Sequence, residues 1–319
     1  MNKGSNIEEV FLKVIEDHMA GDPMNDNIRW VKLTRAEVSE KMKGQGVKVS
    51  RNIIRKLMKK HKLVKRKMQR KKACGQSKER DEQFRNIAAQ KELFSKSLNP
   101  VISVDTKKKE ALGNLHRQGS VYCTQAIETF DHDYHYLSKG EFVPHGIYDL
   151  KKNKAHITIG ISSETAEFIC DSIKRWWNRH GAKDYPKAKR ILILCDAGGA
   201  NSYRHHIFKA ELQNLSNKIN KELQIAHYPP YASKWNPIEH RVFPHVTRTI
   251  EGIPINTVEE AQQRIRHTKT KTGLTVTTDI IKKTYEKGKA VTKDFMENMK
   301  IKFDKSLGKF NYTISPVVT

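Results

Sequence analysis

Two short apolar runs each end in an aspartate, and that repeated device limits the folds open to this chain. Ile191-Leu192-Ile193-Leu194-Cys195 runs into Asp196 and then into the small-residue turn Ala197-Gly198-Gly199-Ala200-Asn201. Val101-Ile102-Ser103-Val104 runs in the same way into Asp105. Uninterrupted apolar runs of this length read as strands covered on both faces, as in α/β sheets flanked by helices. A third acid, Glu239, follows Asn236-Pro237-Ile238, where proline at a first helical position opens a helix.

If the two aspartates sit on adjacent parallel strands, they meet at the carboxyl edge, where α/β sheets bind ligands. Three clustered carboxylates can hold two divalent cations about 3.5–4 Å apart, as two-metal phosphoryl transfer needs. Mg²⁺ is the expected ion, because it takes a few carboxylates plus water and substrate phosphate, with Mn²⁺ as its substitute. Each acid also has a plainer reading. Asp105 could pair with Lys107, Lys108 or Lys109, and Asp196 could be a turn residue. Glu239 could complete a capping box with Asn236. Their joint occurrence in one domain favours catalysis.

The chain carries 60 Lys+Arg against 35 Asp+Glu, a net charge of +25. Such a surface attracts polyanions, with nucleic acid the expected partner and a basic but inert surface or an anionic-membrane binder the alternatives. No apolar stretch approaches the roughly 20 residues of a membrane span, and no signal-peptide core is visible. A cytoplasmic protein, nucleoid-associated when bound to DNA, is the expectation. The four cysteines, Cys74, Cys123, Cys170 and Cys195, form no C-x-x-C pair and read as reduced thiols, with Cys170 and Cys195 in the core. His205, His206, His227, His240 and His245 match no zinc motif. No glycine-rich phosphate loop points to a nucleotide cofactor.

The 319 residues divide by pattern into three parts. Residues 1–75 read as a small all-α helix-turn-helix region with a basic tail. Thr34 caps a helix carrying Ala36, Val38 and Met42, Gly44-Gln45-Gly46 breaks it, and Ser50 caps a second helix. That second helix puts Ile53, Ile54, Leu57 and Met58 on one face and Arg51, Arg55, Lys56, Lys59 and Lys60 on the other. Arg51 and Asn52 are placed to read bases, and Lys56, Lys59, Lys60 and Arg66 to contact phosphate. The basic run Lys59–Lys72 continues from this helix. Residues 76–98 read as a polar helical linker, with Phe84, Ile87, Ala88 and Phe94 as its apolar positions. Residues 99–319 read as a mixed sheet with helices on both faces and a C-terminal extension. Its predicted elements are strands at 101–106, 155–161, 190–195 and 225–228, a helix capped by Ser163, a helix over 202–222, and a helix opened by Asn236.

These motifs resemble those of DDE transposases of bacterial insertion sequences, of the Rhodopirellula type related to the mariner-like superfamily. The residues that carry the resemblance are Val101–Glu110, Thr165-Ala166-Glu167-Phe168 with Arg175-Trp176-Trp177, and Asp196–Asn201. Tyr228-Pro229-Pro230, Ser233–His240 and Thr270-Lys271-Thr272-Gly273-Leu274 complete it, so that it spans roughly residues 20 to 315. The family usually has Gly at 197, Ser at 200 and Lys at 237, whereas mariner-like relatives carry Asn-Pro-Ile-Glu as here. Many members carry a further helical DNA-binding segment ahead of the position of Met1. The resemblance implies a ribonuclease-H-like fold, Asp105, Asp196 and Glu239 as the metal-binding catalytic triad, and cleavage and strand transfer at transposon ends. DNA, as transposon ends and target, is the implied partner, and a homo-oligomer on DNA is compatible with that role. Two alternatives stay open at this point: a DNA-binding remnant without activity, and a ribonuclease-H-like nuclease that cuts without joining.

Overall fold

The computed structural model describes residues 3–22, 25–66, 68 and 78–317. It divides into two compact units, Met1–Lys72 and Ala73–Thr319.

The first unit begins with helix α1 (Lys3–Glu16), followed by a hairpin of β1 (Met19–Asp22) and β2 (Asn25–Val31). Helices α2 (Arg35–Gly44) and α3 (Arg51–Lys60) complete it. The hairpin corrects the all-α expectation. Its strands are rich in Asn, Asp and Gly, residues depleted in strands, so the pattern does not announce them. The two helices begin where the caps predict. Thr34 and Glu37 form a full capping box, with Thr34 N donating to Glu37 Oε2 at 2.6 Å, and Ser50 accepts from Ile53 N at 3.4 Å. Gly46 adopts φ 82°, which a residue with a Cβ resists, and so turns the chain out of α2. Phe11, Val14, Ile15, Val38, Met42, Val49 and Ile54 form the core. Ile53, expected on the buried face of α3, is instead 40% exposed.

The second unit opens with α4 (Arg80–Ser95), β3 (Val101–Thr106), β4 (Glu110–Leu112), β5 (Gly140–Asp149) and β6 (Lys154–Gly160). Next come α5 (Ala166–Trp176), a π-helical turn at Trp177–Gly181, α6 (Ala182–Asp184), β7 (Arg190–Cys195), α7 (His206–Ile219) and β8 (Glu222–His227). Helices α8 (Pro237–Arg241), α9 (Phe243–Ile250) and α10 (Val258–Arg266) lead to β9 (Thr275–Ile281), α11 (Lys293–Glu297), β10 (Ile301–Phe303) and β11 (Asn311–Ile314). Thr165, not Ser163, caps α5, accepting from Phe168 N at 3.2 Å.

The sheet runs β10-β11-β8-β7-β3-β5-β6-β9, with β4 beside β5. Strand β3 is parallel to β7 and β7 to β8, whereas β5 is antiparallel to both β3 and β6. The central order β8-β7-β3-β5-β6, with only its second strand in chain order reversed, is the ribonuclease-H-like arrangement. Helices α5 and α7 cover one face through Ile169, Ile173, Phe208 and Leu212, packed on Ile102, Val104, Ile191 and Ile193. On the other face, Ile87 and Phe94 of α4 pack on Val101, Leu192 and Leu194. Ile238, Val242 and Phe243 pack on Ile157 and Ile159 of that same face. Helix α4 is therefore part of this unit rather than a free linker. Its buried Gln83 donates to the His227 carbonyl at 2.9 Å and pairs with Asn311.

Candidate active site

The β3–β7 pairing brings the two aspartates to one edge. Val101, Ile102 and Ser103 stand opposite Leu192, Ile193 and Leu194. Continuing that register sets Asp105 level with Asp196, just past the end of β7. Alternation along β3 puts Ser103 and Asp105 on the face opposite Ile102 and Val104, the face that receives α4 and α8. Asp105 lies across from Gly146 of β5. A Cβ on Gly146 would stand 2.5 Å from Ile238 Cδ1 and 2.8 Å from Phe243 Cε1, so glycine there lets α8 settle onto the sheet.

Helix α8 is pinned by a buried polar clasp. Asn236 occupies its N-cap position, yet its side chain makes no capping bond. Fully buried, the Asn236 amide instead donates to the Val104 carbonyl at 3.0 Å, and its Oδ1 accepts from Ser103 Oγ at 2.5 Å. Ser103 Oγ in turn accepts from Ile238 N at 3.0 Å. These bonds tie the residues flanking Asp105 to the turn that carries Glu239. They replace the capping-box reading of Asn236 and Glu239, because the Asn side chain is spent on β3. No short window of residues announces this clasp, since the partners lie 133 positions apart.

The electrostatics are those of a site short of positive charge. Asp105 is 8% exposed, and among the described residues its backbone donor is Thr106 N at 2.8 Å. Burial, then repulsion from Asp196 and Glu239, pushes its pKa up to about 9, and its carboxyl hydrogen-bonds the Glu239 carboxyl. Burial also raises Asp196, to about 6, against the help of Gly198 N–H and the Asn201 side chain, while Glu164 and Glu239 add repulsion. Glu164, just ahead of α5, is a fourth carboxylate at this edge that sequence reasoning missed. Among the described residues, no three or more His, Cys, Asp or Glu side chains form a ready-made cation cage. The donor set nonetheless fits a hard divalent ion, since its side chains offer carboxylate oxygens that repel one another.

The histidines take other places. His227 is fully buried, and its pKa falls to about 4 through burial. Its ring contacts the Asp196 carbonyl at 3.0 Å, Tyr312 Oη at 3.0 Å and Cys195 Sγ at 3.3 Å. It thus props the turn behind Asp196. His145, equally buried, meets Thr106 Oγ1 at 2.9 Å behind Asp105. His240 is exposed beside Glu239. Cys170 and Cys195 are buried free thiols as expected, Cys123 is exposed, and Cys74 lies outside the described residues.

In the first unit, Arg51, Asn52, Arg55, Lys56 and Lys59 are exposed on α3, and Arg66 is exposed beyond it. Lys60 is engaged within the unit, with its ammonium 2.5 Å from Glu8 Oε2. Of the basic run, Lys67 and residues 69–72 lie outside the described residues.

Residues 11–316 match the family model described as the Rhodopirellula transposase DDE domain. No curated protein matches the chain by sequence. Among solved structures, the Mos1 transposase paired-end complex with left transposon end aligns at a TM-score of 0.44 and 12% identity, covering 80% of this chain and 68% of that one. The Mos1 Strand Transfer Complex aligns at 0.42 and 11%, covering 80% and 68%. The mariner Mos1 paired end complex with Mg aligns at 0.44 and 10%, again covering 80% and 68%.

Proposed function

The chain belongs to the Rhodopirellula-type DDE transposase family, and from that premise we propose that Asp105, Asp196 and Glu239 are its catalytic triad. As a DDE transposase it is an enzyme that acts on DNA. The observation that carries the assignment of the triad is Asp105 itself: a buried aspartate, at the end of a central strand, set against two further carboxylates in a chain of net charge +25.

Asp105, Asp196 and Glu239 would hold divalent cations, for which Mg²⁺ is the proposed ion and Mn²⁺ the substitute. Bound there, such ions stabilise the attacking and the leaving oxygen of an in-line displacement at phosphorus. The chain's own groups do the rest. Strands β3 and β7 hold the two aspartates rigidly, and the Asn236–Ser103 clasp fixes Glu239 against them. In the first displacement water attacks the phosphodiester, the bond to the 3′ oxygen breaks, and a 3′ hydroxyl is released. In the second that hydroxyl attacks a phosphodiester of target DNA, and the target's own 3′ oxygen leaves. Helix α3 is the proposed end-reading element, with Arg51 and Asn52 for bases and Arg55, Lys56, Lys59 and Arg66 for phosphate. Lys60, paired with Glu8, is the remaining phosphate contact proposed on this helix.

The test uses purified full-length protein with duplexes carrying the element's ends and Mg²⁺. Cleaved 3′ ends should become joined to a second DNA. Cleavage without joining identifies a nuclease, and binding without cleavage under either ion sinks the catalytic triad.

A further inference from the structure

The loop between β8 and α8 carries aromatic side chains that the core does not use. Tyr231 is 64% exposed and Trp235 is 53% exposed. Tyr231 sits at φ 61°, a left-handed conformation that costs a non-glycine residue on the order of 1–2 kcal/mol. Backbone strain of this kind clusters at active sites and ligand clamps. Trp235 is not loose. Phe84 of α4 stands edge-on to it at 6.1 Å and 77°, and Phe84 is itself packed on buried Tyr228 at 6.0 Å. Lys234 Nζ lies 5.8 Å from the Trp235 ring centre.

The two helices that flank these rings, α4 and α8, also carry cations. Lys91 lies two helical turns beyond Phe84 on the same face of α4. It is partly buried, and its surroundings include the Arg241 charge. Arg241 and His240 follow Glu239 directly on α8. Among the described residues neither Lys91 nor Arg241 has an ion-pair partner. Like charges on neighbouring helices, without carboxylate partners among the described residues, gain when an anion binds near them.

We propose that Tyr231, Trp235, Lys91 and Arg241 form a contact for unpaired DNA beside the cleaved bond, the rings stacking a nucleobase and the cations holding its backbone phosphates. The inference rests on the transposase reading for its substrate and deepens it. Planar apolar faces next to bare cations match a nucleic acid strand, which supplies π-faces and phosphates at regular intervals. Stacking on an exposed ring needs a base free of its partner, so the site favours single-stranded DNA over blunt duplex. Trp235 lies four residues from Glu239 and Arg241 two, so the strand is held next to the carboxylates.

The experiment uses full-length protein carrying Asp196→Asn, without metal, with labelled oligo-dT and a blunt duplex of equal length as probes. Trp235→Ala should weaken oligo-dT binding by about tenfold or more and the duplex far less, because stacking on one ring contributes roughly that much per base. Trp235→Phe should restore most of the loss, which separates stacking from a folding defect. Lys91→Gln and Arg241→Gln should each lower the salt slope for oligo-dT by about 0.7. The emission difference between the protein with and without Trp235→Phe should be quenched as oligo-dT is added. Equal oligo-dT affinity with and without Trp235→Ala, or an unchanged salt slope in the Lys91→Gln, Arg241→Gln double variant, overturns the proposal. Because binding is read without metal, wild-type protein that stacks oligo-dT but never cleaves sinks the transposase chemistry and leaves this contact standing.

Discussion

Asp105 and Asp149 are both buried aspartates on neighbouring strands, three residues apart along the β3–β5 register, and their surroundings differ sharply. At Asp149 burial still raises the pKa, but four hydrogen-bond contacts work against it. Tyr185 Oη lies 2.9 Å from both of its oxygens, and the backbone N–H groups of Lys151 and Lys152 donate at 2.9 and 3.1 Å. Asp105 has, among the described residues, the backbone donor Thr106 N and the carboxylate neighbours Asp196 and Glu239. The fold supplies donors to a buried acid when that acid serves only structure. At the other end it supplies fewer, and the unmet charge becomes the site's capacity to bind cations.

The largest expected effect separates the two ends by chemistry. Asp196→Asn removes a charge from the crowded edge while keeping its shape. Strand cleavage should fall by about a thousandfold or more, since charge stabilisation is often the largest catalytic term. Thermal stability without metal should hold or rise, because repulsion is relieved. A cleaving Asp196→Asn protein would dissolve the contrast altogether.

Asn236→Ala tests whether the clasp belongs to the catalytic end. Two hydrogen bonds from the Asn236 side chain are lost, leaving Ser103 Oγ without its acceptor. Cleavage at limiting metal should drop about 10–100-fold, as for residues that hold metal ligands in place. Saturating metal should recover part of the loss. An Asn236→Ala protein with reduced stability but an unchanged metal requirement would make the clasp a packing feature only.

Tyr185→Phe probes the satisfied end. Losing the hydroxyl leaves Asp149 under-bonded in a buried place, which costs roughly 1–3 kcal/mol of stability. Denaturant melts should show that loss, while cleavage per folded molecule stays near wild type. Impaired cleavage in well-folded protein would mean that the two ends are coupled.

The smallest effect is in pH. The raised Asp105 pKa means that the metal-free native protein keeps a proton the unfolded chain has released, from about 3.8 up to about 9. Its contribution is therefore most favourable at low pH and is lost as pH rises through that window. The melting temperature of Asp105→Asn minus that of wild type, both without metal, should grow between mildly acidic and mildly alkaline buffer. A flat difference would show that Asp105 does not carry the unmet charge.

Much of this was legible in the sequence because it is local. Apolar runs named β3 and β7, Thr34 and Ser50 named two helix starts, and the acids ending those strands named the candidate site. What stayed hidden depends on pairing across the chain. The Asn236–Ser103 clasp, the Asp149–Tyr185 bond and the approach of Glu164 to the Asp196 turn join residues that no short window relates. The hairpin in the first unit went unread because Asn25, Asp26 and Asn27 mask the alternation of Ile28 and Trp30. Helix α4 read as a linker because its burial rests on few positions, chiefly Gln83, Ile87 and Phe94, and one of them is polar.

The order in which the sheet's strands occur along the chain sets when it can be finished. The five central strands end with β8 at His227, but both flanks of that set are closed by later segments: β9 at 275–281 lies beside β6, and β11 at 311–314 beside β8. During synthesis the nearly complete sheet therefore waits with two open edges, each offering unpaired backbone groups to another nascent chain. Release of residues 275–314 covers both edges, and the new borders are β9 and the three-residue β10, the latter too short to recruit a neighbour readily.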